Sequence, residues 1–132
     1  MNKKEITRII ENLLKDRKEI IFAYIFGSFA EEDTFNDVDL AIYVDEEDAL
    51  VGEIFYDIEL SNILEEKTTV HVDVIKLNNA SDSVIYKATK GLLLKDNDSN
   101  KRINFITHHW KRYWDFNPKI QEHIIELKHG SR

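Results

Sequence analysis

Apolar residues recur along the first part of the chain with two different spacings, which predict one helix followed by two strands. Near the start they fall three or four positions apart, as on one face of an amphipathic helix, and this helix is predicted to end near Asp16. The run Ile20–Phe26 is continuously apolar and short, which is typical of a buried strand. Between 38 and 44 every second residue is aliphatic, which is the period of a second strand.

The rest of the chain carries the patterns of three more helices and two more strands. Apolar residues between 50 and 64 predict a long helix over roughly Glu47–Glu65, and alternate valines from 70 to 74 predict a third strand. Ser81 and Asp82 are both suited to cap the next helix, which Gly91 would close before a short strand over 92–94. Residues 98–128 are predicted as a C-terminal helix, interrupted at 117–118 because proline disfavours helical structure in the residue before it.

The order of these elements predicts the fold class. Helix, strand, strand, helix, strand, helix, strand, helix is the order of an α+β fold, in which helices cover one small mixed sheet. The chain has 132 residues, with no internal repeat and no linker of different composition. We therefore expect a single domain over residues 1–132.

Composition and charge exclude several classes of function. The net charge is −7, whereas a general nucleic-acid-binding surface needs a basic footprint, so no direct binding of nucleic acid is expected. The chain has no cysteine, so any metal must be held by carboxylates, histidines or water. The longest apolar run is far shorter than the roughly 20 residues that span a bilayer, and the N-terminus lacks the apolar core of a secretion signal. These features predict a soluble cytoplasmic protein that does not interact with membranes.

Three aspartates are the candidate metal ligands. Asp37 and Asp39 are two apart on the second strand and therefore point to the same face, where a divalent cation such as Mg²⁺ would offset their repulsion. Asp73 lies in a strand of valines, where a carboxylate is costly to bury without a partner. If that strand lies beside the second one, three carboxylates meet and could hold two metals. The alternatives are a solvated strand end for the pair and an edge-strand charge that discourages aggregation for Asp73.

A Gly-Ser turn precedes the aspartates. Gly27 ends the first strand, and a helical turn can begin just after it. Glycine lets the backbone approach a phosphate closely, so that backbone N–H groups and the Ser28 hydroxyl can donate to phosphate oxygens. Gly-Ser after a strand is most often only a turn, and its combination with the downstream aspartates is what points to a bound nucleoside triphosphate.

Gly-Ser, a loop, Asp-x-Asp and a third Asp on a later strand together resemble the DNA polymerase β-type nucleotidyltransferase superfamily. The chain resembles most its small MNT (minimal nucleotidyltransferase) group. The resemblance implies the nucleotidyltransferase core, ATP as substrate and Mg²⁺ as cofactor. It further implies that Asp37 and Asp39 hold both metals, and that Asp73 holds the catalytic metal and helps to deprotonate the acceptor. Gly27 and Ser28 would hold the triphosphate.

The resemblance also implies a partner. MNT proteins are commonly encoded with a HEPN partner, an all-helical ribonuclease toxin, and characterised members act as antitoxins that transfer AMP from ATP to a tyrosine of the toxin. The chain departs from the family pattern at Glu31, where many relatives carry arginine, and at Asn36, where they often carry serine. Lys87 or Lys90 could supply the missing cation.

Two alternatives to this enzymatic function stay open. One is an antitoxin that neutralises its toxin by binding alone, and Glu31 is the feature that favours it. The other is a small-molecule nucleotidyltransferase, against which the short chain argues. Homodimers and mixed complexes with the partner both fit the sequence.

Other polar and aromatic residues have simpler interpretations. His71 shares its strand face with Asp73, and a role at the surface or behind the site is favoured over direct lining. Trp110, Tyr113 and Trp114 form a helical stripe that is predicted to pack into the core. The acidic run 45–48 is predicted to place charge at the N-terminus of the second long helix.

Overall fold

The computed structural model describes residues 1–116, and in them the elements follow in the predicted order with a short helix added after Gly27. The elements are α1 (Lys3–Lys15), β1 (Ile20–Phe26), α2 (Ser28–Glu31), β2 (Asp37–Val44), α3 (Tyr56–Thr68), β3 (His71–Lys76), α4 (Asp82–Thr89), β4 (Leu92–Asp96) and α5 (Ser99–Asp115). Ser81 rather than Asp82 caps α4, since its hydroxyl accepts from the backbone N–H of Val84 at 3.3 Å.

The four strands form one mixed sheet in the order β3-β2-β1-β4, which confirms the predicted α+β class. β1 is antiparallel to both β2 and β4, whereas β2 and β3 are parallel. A parallel pair needs a crossover connection, and α3 supplies it. The starts of β2 and β3 therefore lie at the same end of the sheet.

Helices cover the sheet on both faces, so the strands bury side chains on both sides. The first core cluster joins α1 and α3 to one face, and Val38 and Leu40 of β2 belong to it. The second cluster joins α4 and α5 to the other face, where Ala41 of β2 lies. Because alternate residues of a strand point to opposite faces, Asp37 and Asp39 share the face of Ala41, as the alternation predicted.

The predicted helix over Glu47–Glu65 is wrong in its first half. Helix α3 begins only at Tyr56, and residues 45–55 form turns. The carboxylates of Asp45 and Asp48 each accept from a backbone N–H two residues on, at 3.0 Å. Such local hydrogen bonds compete with helical ones, which is why the apolar spacing does not continue as a helix. The acidic run 45–48 therefore does not lie at the N-terminus of α3.

Only part of the predicted C-terminal helix lies within the described residues. Helix α5 begins at Ser99, capped by the carboxylate of Asp98. The expected interruption at 117–118 and the stretch to 128 lie outside the described residues. No residue of α5 is fully buried, so the predicted core packing of the aromatic stripe is only partly right: Trp110 and Tyr113 are half-buried and pack on Tyr86 of α4. Among the helices of residues 1–116, none combines the length and apolarity needed to cross a membrane.

Candidate functional site

The parallel pairing of β2 with β3 brings the three aspartates to one end of the sheet. Asp39 lies directly opposite Asp73, and Asp37 lies opposite His71. All four side chains share one face, because the paired residues are two apart on each strand. Asp39 is half-buried, whereas Asp37 and Asp73 are exposed. The adjacency of these strands was the condition on which Asp73 could join the pair, and the structure meets it.

The charges at this sheet end are unbalanced. Burial raises the pKa of Asp39 above its ordinary value, and the negative charges of Asp73 and then Asp37 raise it further, while His71 acts in the opposite direction. Three carboxylates gathered at one end of the sheet form a donor set suited to a hard divalent cation. Within residues 1–116, however, no three histidine or acidic side chains already stand in a geometry that would hold a metal ion. The assignment of the three carboxylates as metal ligands therefore stays a prediction.

Gly27 allows Asp39 to lie against the turn that follows β1. Its backbone has φ 75° and ψ −155°, a region that is essentially restricted to glycine. A Cβ atom at this position would lie 2.5 Å from Oδ2 of Asp39. Ser28 follows as the first residue of α2, so the Gly-Ser turn and the half-buried aspartate adjoin. Binding of a triphosphate by Gly27 and Ser28 stays a prediction.

A hydrogen-bonded network behind Asp73 was only partly foreseen. His71 Nε2 lies 2.8 Å from Oδ1 of Asp73, and His71 Nδ1 lies 2.8 Å from Oε2 of Glu65. The hydrogen bond to Asp73 is the main cause that raises the pKa of His71. The sequence placed His71 near Asp73 but missed Glu65, which belongs to α3. The only sequence signal for Glu65 was its position a few residues before the third strand.

A cation of α1 lies against α2, the short helix that follows the Gly-Ser turn. The Lys3 ammonium lies 5.5 Å from the ring centroid of Phe29 in α2, and it donates to the backbone carbonyl of Glu32. Lys90 instead lies over the ring of Tyr86, 4.8 Å from its centroid. A groove of about 540 Å³ between α1 and α2 is lined by eight residues, three of them basic: Lys3, Lys4, Thr7, Arg8, Glu11, Phe29, Ala30 and Leu92. The sequence suggested Lys87 or Lys90 as the cation that replaces the missing arginine, and that suggestion stays a prediction; it did not indicate that Lys3 lies against α2.

Comparison with known families agrees with this fold. The family model described as polymerase beta, nucleotidyltransferase, matches residues 8–100, which is more than half of the chain. The chain is therefore a member of the polymerase β nucleotidyltransferase family. A search of curated proteins gave no significant match.

Solved structures with the same fold include chains from toxin–antitoxin complexes. A chain from the tri-AMPylated Shewanella oneidensis HEPN toxin in complex with MNT antitoxin aligns with a TM-score of 0.68 and 20% identity, over 96% of this chain and 98% of that chain. A chain of a toxin–antitoxin with AMP-PNP gives 0.67 and 20%, over 97% and 99%. A chain of the toxin–antitoxin MntA-HepT gives 0.63 and 19%, over 93% and 96%. At these identities the likeness establishes the fold of the described chain.

Proposed function

We propose that the chain is the antitoxin of a HEPN/MNT pair and transfers AMP from ATP to a tyrosine hydroxyl of the toxin. The observation that carries the proposal is the position of Asp39, opposite Asp73 across two parallel strands and against the Gly27 turn. Membership of a nucleotidyltransferase family supports transfer of a nucleotide. The similar fold of chains from a complex with an AMPylated HEPN toxin and from one with AMP-PNP supports the acceptor and the donor.

The transfer forms one bond and breaks one. The tyrosine oxygen attacks the α-phosphorus of ATP, an oxygen–phosphorus bond forms, and the bond to the bridging oxygen breaks so that pyrophosphate leaves with its electron pair. Mg²⁺ held by Asp37, Asp39 and Asp73 would stabilise the negative charge on the phosphates and on the leaving pyrophosphate. Asp73 accepts the tyrosine proton, for which its exposed carboxylate is accessible. Gly27, which carries no side chain, lets the triphosphate approach the backbone, and the Ser28 hydroxyl donates to it.

Label transfer tests this proposal. The purified chain is incubated with a co-expressed HEPN-type partner, Mg²⁺ and ATP labelled at the α-phosphate, and the label on the partner is measured. We expect label on the partner with the wild-type chain and none with Asp37→Ala or Asp39→Ala. If the partner stays unlabelled while the chain still neutralises its toxicity, the catalytic proposal is wrong.

Binding without catalysis is a second candidate, which two observations favour. Glu31 is an exposed acidic residue at the end of α2, close to where the phosphates would lie. The segment 50–58 also exposes four large apolar side chains, which we call the apolar patch: Leu50, Ile54, Phe55 and Ile58. Ile54 is 90% exposed and Phe55 61%. Clustered exposed apolar residues commonly mark a protein-binding surface.

The charges around the apolar patch indicate its partner. Residues 45–59 contain seven acidic residues and no lysine or arginine. The nearby cations are Lys76, which is 3.8 Å from Asp57, and Lys101, which shares a groove with Asp45, Glu46 and Glu47. Pairing of this patch with that of a second copy would bring like charges together, so we assign it to a partner with an apolar, basic contact surface. The patch follows the end of β2 opposite Asp37, so a partner bound there leaves the carboxylates accessible.

Substitution in the apolar patch tests whether this surface binds the partner. We expect Ile54→Ser with Phe55→Ser to weaken binding of the HEPN-type partner at least tenfold in a calorimetric titration, and to change the free energy of unfolding by less than about 0.5 kcal/mol, as at other exposed sites. Ile103→Ser is the matched control, since Ile103 is 51% exposed on α5. If the double variant and the control bind the partner with equal affinity, the apolar patch is not part of the interface.

A further inference from the structure

We propose that His71 is a positioning residue, which holds the carboxylate of Asp73 in the orientation that the metal and the acceptor require. This inference rests on the proposed function, because it gives His71 a task only if Asp73 acts in metal binding and transfer. His71 would touch neither the metal nor the substrate. It would act through Asp73.

The imidazole ring is held at both nitrogens. Nε2 lies 2.8 Å from Oδ1 of Asp73, and Nδ1 lies 2.8 Å from Oε2 of Glu65. Both distances are those of strong charge-assisted hydrogen bonds. A ring fixed on opposite sides cannot rotate away from Asp73 without breaking the contact to Glu65. The contact occupies one oxygen of Asp73 and leaves the other for the proposed cation.

Glu65 is itself anchored. Its Oε2 accepts from the backbone N–H of Val72 at 3.0 Å and from the Ser61 hydroxyl at 3.3 Å. The hydrogen bond from Val72 is the main cause that lowers the pKa of Glu65, which keeps this carboxylate ionised beside the imidazole. The single proton of the Ser61 hydroxyl is shared between Oε2 of Glu65 and the backbone carbonyl of Val72. The hydrogen bonds through His71 and Glu65 thus fix the orientation of Asp73 relative to helix α3 and strand β3.

A purely structural role would have a different signature. The side chain of His71 is 54% exposed and that of Asp73 is 56% exposed, and exposed ion pairs contribute little to folding. Loss of His71 should therefore leave the stability of the chain almost unchanged. If the network positions Asp73, the loss appears instead in metal affinity. Hydrogen-bonding groups behind metal ligands typically affect affinity about 10–100-fold.

Titration of the full chain with Mn²⁺ alone, followed by calorimetry, tests the proposal without a partner. Carboxylate sites that suit Mg²⁺ also suit Mn²⁺. We expect His71→Ala to weaken Mn²⁺ binding by about tenfold or more, in line with other groups behind metal ligands. His71→Gln should restore part of the affinity, since its amide N–H can donate to Asp73. His108→Ala is the matched control, since His108 is an exposed histidine on α5 and should bind Mn²⁺ as the wild type does.

The result for Asp39→Ala separates the possible failures. If Asp39→Ala weakens Mn²⁺ binding while His71→Ala matches the wild type, the positioning role of His71 is wrong and the metal centre stands. If His71→Ala binds Mn²⁺ more tightly, His71 competes with the metal for Asp73, and the proposal is overturned. If Asp39→Ala and the wild type bind Mn²⁺ equally, the metal centre itself is wrong and the role of His71 falls with it.

Discussion

Replacement of Gly27 by alanine perturbs the backbone and the site at once. Gly27 has φ 75° and ψ −155°, and its added Cβ would lie 2.5 Å from Oδ2 of Asp39. The first effect should lower the stability of the fold. The second should move the carboxylate that faces Asp73, because the end of a flexible side chain shifts more easily than the backbone of a buried strand.

The size of each effect follows from this geometry. A residue with a side chain in this backbone region costs about 1–3 kcal/mol, so Gly27→Ala should lower the free energy of unfolding by that amount. Displacement of Asp39 adds little to this loss, because its carboxylate is only half-buried. The displacement of Asp39 instead affects binding. Gly27→Ala should lose more affinity for ATP with Mg²⁺ than a variant that is destabilised elsewhere in the fold.

Two measurements and one control resolve the prediction. Denaturant unfolding gives the stability, and calorimetric titration of ATP with Mg²⁺ gives the affinity of the folded chain. Gly52→Ala is the matched control, because a Cβ there meets only the carbonyl of Ala49 at 3.6 Å, an ordinary contact. A Gly27→Ala variant as stable as the Gly52→Ala control, with unchanged ATP affinity, would refute both the strain and the role of the turn.

Two further predictions concern the core. Tyr56→Phe removes the hydroxyl that donates to Oε2 of the buried Glu19 at 2.7 Å, so it should lower the free energy of unfolding by about 1–3 kcal/mol, measured in denaturant. Burial and Glu19 raise the pKa of Tyr56, so the stability that its hydroxyl contributes is present below about pH 10 and is lost as the pH rises further. If the difference in the free energy of unfolding between wild type and Tyr56→Phe stays the same above that pH, this prediction is wrong. Gly91→Ala would place a Cβ 2.1 Å from the carbonyl oxygen of Ile25 and should cost at least about 1–3 kcal/mol, whereas a variant of wild-type stability would show that β1 and β4 separate without cost.

The sequence predicted those features of the site that depend on local periodicity. The alternation of β2 placed Asp37 and Asp39 on one face, and the valines around Asp73 indicated a strand. The pairing of β2 with β3 is not local. It depends on the crossover through α3, so the direct opposition of Asp39 and Asp73 became visible only in the sheet.

The features that the sequence missed arise from side chains that compete with periodicity or reach across the fold. Asp45 and Asp48 bind backbone N–H groups two residues on and so replace the first turns of the predicted long helix. Glu65 reaches from α3 to the backbone of β3 and to His71, and no spacing pattern encodes such a contact. Lys3 is distant in sequence from α2, and only the packing of α1 brings it there.

The binding of ATP in the presence of Mg²⁺ tests the central claim most directly, because it needs no partner. Calorimetric titration should give a defined affinity for the wild-type chain, which is lost when Mg²⁺ is removed and in Asp39→Ala. Glu59→Ala, which removes an exposed carboxylate from α3, should bind as the wild type does. A wild-type chain that does not bind ATP with Mg²⁺, or an Asp39→Ala variant that binds it equally well, would contradict the assignment of the strand-borne aspartates as a nucleotidyl-transfer centre.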